Sequence, residues 1–227
     1  MNTTALLVTA ALALFVAVTF ISCRSKTKEK SDKELFAEVL NDPRVNSREV
    51  GEREGIEYFQ IMEDGKTGFR DLDENVIIEP IYESADMFSE GLSAVTLTKD
   101  GLTGYINTKG EMVIQPSFEY AGGFGNGLAP FRAHDLYGFI DRTGKAKIAP
   151  QYAWVDQFAE GYCAVRNRQG QYAFIDTSGT PLTEFKFQYA RGFDGGKAKV
   201  QMDNMWGAID KKGIVVVEFM YPHAGFN

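Results

Sequence analysis

Apolar and polar residues alternate in short runs along most of the chain, a period that predicts strands rather than helices. Gly104-Tyr105-Ile106-Asn107 reads as one strand, Met112-Val113-Ile114 as its return and Leu128 to Arg132 as a third. Thr108-Lys109-Gly110 supplies a tight turn, and Pro116 stops the return at a sheet edge. Between the return and the third strand, Phe118, Ala121 and Phe124 predict a packed, irregular crossing. The same order recurs every 34 to 36 residues from about Gly55 onward. Its first anchor is a glycine between large side chains: Thr67-Gly68-Phe69, Thr103-Gly104-Tyr105, Tyr137-Gly138-Phe139 and Trp206-Gly207-Ala208, with Tyr172-Ala173-Phe174 carrying alanine instead. A second anchor trails each one: Phe88-Ser89-Glu90-Gly91, Phe124-Gly125-Asn126-Gly127, Phe158-Ala159-Glu160-Gly161, Phe193-Asp194-Gly195-Gly196 and finally Phe226-Asn227. Units this small bury a core only against their neighbours, so the pattern predicts an all-β repeat of five three-stranded units over 55–227.

These residues resemble the bacterial WG-repeat (KWG) family, whose units centre on a Trp-Gly-Tyr/Phe-Ile-Asp strand, a Lys-x-Gly turn, and then Pro-x-Tyr and Phe-x-x-Gly. Trp206-Gly207-Ala208-Ile209-Asp210, Ile140-Asp141-Arg142-Thr143-Gly144 and Pro150-Gln151-Tyr152 through Gly161 carry the resemblance, and the signature tryptophan survives once, as Trp206. The resemblance implies an architecture and supplies no catalytic residues. Members are often exported and often lipoproteins.

The N-terminus fits export. Ala5 to Ile21 is uncharged and ends at Ser22-Cys23, before the basic residues Arg24, Lys26, Lys28 and Lys30. The run is short for a spanning helix, which needs about 20 residues. A small residue before Cys23 resembles the lipobox of bacterial lipoproteins, which implies a signal peptide over 1–22, acylation of Cys23 and, with Arg24 following, an outer-membrane location. The segment before the apolar run has no Lys or Arg, and the other reading is an uncleaved anchor with a cytoplasmic domain behind the basic run. Residues 23–54 read as a polar tether with a short helix opened by the capping box Ser31-Asp32-Lys33-Glu34.

The cut of the repeat carries an expectation of its own. Gly55 to Ile61 aligns with Gly91 to Leu97, a third strand, and the chain stops before its last unit makes one. The spacing therefore predicts a propeller-like closed ring in which Ile56–Met62 docks beside Ile214–Phe219, in preference to an open curved array.

Charge and chemistry narrow the function. With 24 Lys and Arg against 31 Asp and Glu, a net of −7, and no basic cluster on a repeated position, nucleic acid is excluded as a partner. Two cysteines make no disulfide framework, and Cys163 takes a slot held by Ser93, Ala129 and Ala198. His134 and His223 stand in no metal-ligand spacing, so no cofactor or metal is expected. The carboxylates Asp71, Asp141, Asp176, Asp210, Glu90 and Glu160 recur with the repeat and read as turn caps and packing, not as an acid/base pair. Aromatics that break the pattern are the candidate binding residues: Tyr120, Trp154 and Tyr189 on the crossing segments, with Arg191 nearby. The expectation is a non-enzymatic, lipid-anchored envelope scaffold whose partner is an envelope protein. A glycan-binding module for envelope polysaccharide is the alternative, and a hydrolase a more remote one.

Overall fold

The computed structural model describes residues 59–222 together with Glu34, which is helical and exposed. The expected signal peptide, Cys23, the rest of the tether, Gly55 to Tyr58, His223 and Phe226-Asn227 lie outside the described residues.

Five antiparallel sheets follow one another along the chain. The first is β1 (Phe59–Glu63), β2 (Lys66–Arg70) and β3 (Val76–Tyr82). The second runs β4 (Ser84–Ala85), β5 (Leu92–Thr96), β6 (Thr103–Asn107) and β7 (Met112–Phe118). The third repeats that order with β8 (Tyr120–Ala121), β9 (Leu128–Ala133), β10 (Leu136–Asp141) and β11 (Ala146–Tyr152). The fourth has β12 (Trp154–Val155), β13 (Tyr162–Arg166) and β14 (Tyr172–Asp176). The fifth has β15 (Tyr189–Asp194), β16 (Lys197–Met202), β17 (Met205–Asp210) and β18 (Val215–Tyr221). The all-β repeat is as expected, but three of the five sheets have four strands, because each crossing contributes a short edge strand.

The closed ring is not what the structure shows. No strand passes between the first and fifth sheets among the described residues, and β1 pairs with β2, not with β18. The reason is local. Asp64 and Gly65 both adopt positive φ, 49° and 75°, and close a two-residue hairpin whose twist matches the flanking strands. His134-Asp135 and Asp203-Asn204 do the same at the third and fifth sheets. A third strand therefore pairs forward, with the glycine strand that follows it, so the sequence unit straddles two sheets and β1, the first strand among the described residues, begins a sheet.

The glycine anchor exists because the return strand crosses over it. A Cβ at Gly68, Gly104, Gly138 or Gly207 would lie 2.4, 2.7, 2.4 or 2.6 Å from the carbonyl oxygen of Ile78, Ile114, Ile148 or Val217. Each crossing coincides with a register shift in the ladder. In the fourth sheet the return is irregular: it meets β14 through the bridges Ile175↔Pro181 and Tyr172↔Phe187, through a bond from Leu182 N–H to Phe174 O at 2.8 Å and through one from Phe174 N–H to Thr183 Oγ1 at 3.2 Å. There the slot takes Ala173, whose methyl is fully buried in the core shared with the third sheet.

Four hydrophobic cores lie between successive sheets. At each one a phenylalanine of the Phe-x-x-Gly anchor covers the aromatic after the glycine slot of the sheet before: Phe88 on Phe69 at 4.6 Å, Phe124 on Tyr105 at 5.0 Å, Phe158 on Phe139 at 4.7 Å and Phe193 on Phe174 at 5.1 Å. Such ring pairs add about 0.5–1.5 kcal/mol to their area burial. Cohesion between sheets is thus nearest-neighbour, as expected of a repeat array.

Candidate functional site

The repeated carboxylates are engaged in structure. Asp141 Oδ1 accepts N–H bonds from Thr143 (2.8 Å) and Lys145 (3.2 Å), Asp176 from Ser178 and Thr180, and Asp210 from Lys212 and Ile214. Asn107 makes the same pair of bonds in the second sheet. Glu90, Asn126 and Glu160, all at positive φ, reach forward one unit to accept the N–H of Gly127 (3.0 Å), Gly161 (2.8 Å) and Gly196 (3.0 Å). Lys211 adds an ion pair to Glu160 at 2.8 Å, and Arg142 one to Glu90 at 3.5 Å. Gly195 occupies this slot in the last unit, so the ladder of latches ends there.

The hydroxyl and amide of Thr143 hold the Asp141 carboxyl below the usual aspartate range, the Ser178 hydroxyl does so for Asp176, and Lys211 followed by the Gly196 amide lowers Glu160. Depressed carboxyls contribute stability that is complete above their ordinary values and lost as pH falls through the lowered ones. The melting temperature should therefore hold from neutral pH down to about pH 5 and fall steeply below about pH 4. Thermal scans of an Asp141→Asn/Asp176→Asn variant, which copies the Asn107 turn, should show a shallower acid slope; an unchanged slope would assign the acid loss elsewhere.

Cys163 is buried. Its sulfur lies 3.1 Å from Asp156 O, repeating the Ser93 hydroxyl bond to Asp86 O at 2.7 Å, and burial pushes the thiol up, away from the reactive thiolate. His134 sits on a hairpin turn. Among the described residues no three His, Cys, Asp or Glu side chains converge as metal ligands.

The aromatics behave differently. Trp154 meets Tyr172 at 5.7 Å, Tyr172 meets Tyr189 at 5.4 Å, and Tyr189 meets Trp206 at 5.4 Å, a continuous row across the fourth and fifth sheets. Arg166, cross-strand from both Trp154 and Tyr172, places its guanidinium 5.8 Å from the Tyr172 ring. Tyr120 forms a separate pair with Tyr137 at 5.9 Å in the third sheet. Tyr120 and Tyr189 remain 45% and 40% exposed, whereas Trp154 packs partly into the core between the fourth and fifth sheets. The structure therefore joins Trp154 and Tyr189 and leaves Tyr120 apart. Arg191 lies off the row, lining a cavity on the outward face of the fifth sheet. Sequence reasoning missed Tyr172, Trp206 and Arg166. The first two precede the glycine slot and read as repeat anchors, although the first two sheets carry only Thr67 and Thr103 there.

Five sheets stacked in sequence with shared cores, and no enclosed cluster of titratable groups among the described residues, define an all-β repeat protein. The chain belongs to the WG containing repeat family, whose model matches residues 68–99, 104–136, 137–169 and 172–206, more than half its length. No curated protein matches the sequence. Among solved structures, the chain is similar to Hsv2p of Kluyveromyces lactis, at 13% identity and TM-score 0.47 over 68% of this chain and 58% of that one. BamB from Moraxella catarrhalis is similar at 9% identity and TM-score 0.42, over 73% and 62%, and Citrobacter koseri AztD at 12% and 0.43, over 75% and 58%. The chain spans about three fifths of the length of these proteins.

Proposed function

We propose that this WG-repeat domain is a non-catalytic scaffold that binds another protein through the aromatic row Trp154–Tyr172–Tyr189–Trp206. The observation that carries the reading is positional. Where the fourth and fifth sheets place Trp154, Tyr172, Tyr189 and Trp206, the second places Ser84 and Thr103, so the fold is built equally well without rings at these sites. Large, stiff rings with a polar edge are what protein-binding surfaces enrich. The repeated carboxylates, spent on turns and latches, support a non-enzymatic role. In the same reading the domain is held at a bacterial envelope by lipid on Cys23, outside the described residues.

The test borrows the second sheet's own side chains. A Tyr189→Ser/Trp206→Thr variant should keep its melting temperature within a few degrees and lose at least about tenfold in recovery of a cross-linked protein partner. Undiminished recovery sinks the proposal. Aromatic rows also stack on sugars, so quenching of Trp206 fluorescence by envelope polysaccharide, with no protein recovered, would transfer the row to a glycan-binding role.

A further inference from the structure

Two arginines stand unpaired among the rings. Arg132 lies cross-strand from both Tyr120 and Tyr137, as Arg166 does from Trp154 and Tyr172. Directly opposed side chains share one face of a sheet, so each guanidinium stem rises between two aromatics. The matching positions are Thr96 in the second sheet and Gln201 in the fifth. Thr96 spends its hydroxyl on Ser84 at 2.6 Å, so the fold is complete without a cation there.

Both arginines are half-buried, and among the described residues neither side chain makes a hydrogen bond or an ion pair. The Nε of Arg132 is enclosed with no partner. Arg70 shows what is missing: its Nε is enclosed in the same way, but its Nη1 meets Glu74 at 3.2 Å. Taking part of a guanidinium out of water unpaired costs free energy, which an anion on the remaining N–H edge offsets. The Arg166 head lies 5.8 Å from the centre of the Tyr172 ring. Such stacking fixes the plane of a guanidinium and leaves its edge free to grip a carboxylate with two parallel bonds. The acids close by do not fill that role. Burial, and then the charge of Asp86, push the Tyr120 phenol up, yet Asp86 forms no ion pair with Arg132, and neither does Glu119 beside Tyr120 in the chain. Phosphate sites gather several arginines around one group, whereas each arginine here stands alone between rings. Neighbouring rings are turned 44° to 81° from one another and offer no common plane to a sugar chain.

We propose that Arg132 and Arg166 are carboxylate receptors, each taking a Glu or Asp side chain from an acidic segment of the protein partner, with the methylenes of that side chain lying against the flanking rings. This rests on the reading of the aromatic row as a protein-binding surface, and it extends that surface to the Tyr120–Tyr137 pair of the third sheet.

The experiment titrates the full chain with a fluorescent peptide of alternating Glu and Thr, and with its Gln-for-Glu counterpart. The acidic peptide should bind at least about tenfold tighter, with the advantage shrinking as salt shortens the Debye length from about 10 Å to about 3 Å. An Arg132→Thr/Arg166→Gln variant copies the second and fifth sheets, so it should keep its melting temperature and lose that preference. Equal binding of the two peptides by the unaltered protein overturns the proposal, as does an undiminished preference in the double variant. So does inorganic phosphate bound as tightly as the acidic peptide, or polygalacturonate bound more tightly with the same arginine dependence. Partner recovery keeps the two readings apart. Equal binding of both peptides, with recovery still dependent on Tyr189 and Trp206, removes the carboxylate receptors and leaves the row. An arginine-dependent preference, with recovery indifferent to those two rings, removes the row and keeps the receptors.

Discussion

Gly138→Ala is expected to lower stability by about 3 kcal/mol and the melting temperature by about 10 °C, among the largest effects of any one-methyl change in this domain. The added Cβ would sit 2.4 Å from Ile148 O and 2.7 Å from Pro150 N, both backbone atoms of a strand fixed by its ladder. Relief requires β11 to lift off β10, and β11 carries Ile148 and Tyr152 into the core between the third and fourth sheets. The control is Ala173→Gly in the fourth sheet. It should cost about 1–2 kcal/mol, from one buried methyl lost and backbone entropy gained, with no clash to relieve. Comparable losses in the two variants, by thermal or urea unfolding, would refute the crossing as the reason for the glycine.

Phe139→Ala should remove about 3–5 kcal/mol and also change the shape of the unfolding transition. Phe139 is fully buried between the third and fourth sheets and stacks on Phe158 at 4.7 Å. Alanine occupies the same slot as Ala208 in the fifth sheet, so the backbone tolerates it and the loss is of contacts rather than of geometry. In an array coupled only through neighbours, weakening one interface in the middle uncouples the two sides. Circular dichroism at increasing urea should therefore show two steps in place of one. A single transition displaced as a whole would mean that coupling extends beyond adjacent sheets.

Much of this was legible in the chain. The turn caps and the structural reading of Cys163 depend on contacts within a few residues, and Asp141, Asp176 and Asp210 make the bonds their spacing predicts. Strand lengths were not legible: the return expected to stop at Pro116 runs through it, from Met112 to Phe118, and the crossing adds the strand Tyr120–Ala121. The aromatics Trp154 and Tyr189 stood out because nothing in the unit requires them. The roles of Glu90 and Glu160 were less visible, because each latches onto a glycine 36 or 37 residues away. Tyr172 and Trp206 were hidden by their place in the repeat.

By itself, the sequence determined that the chain is an array of β units, where its hairpin turns fall, and which side chains cap those turns. Those features follow from alternation, glycine and short-range hydrogen bonding, which the chain expresses without reference to its distant parts. Only the tertiary structure decided that a third strand joins the sheet ahead of it, that the ring is not closed by β1, and that four rings from two sheets form one row. Strand partnership is a competition between alternative non-local pairings. Here the two-residue hairpin at Asp64-Gly65 wins it, because a partner three residues away loses far less chain entropy than one at the other end of the domain.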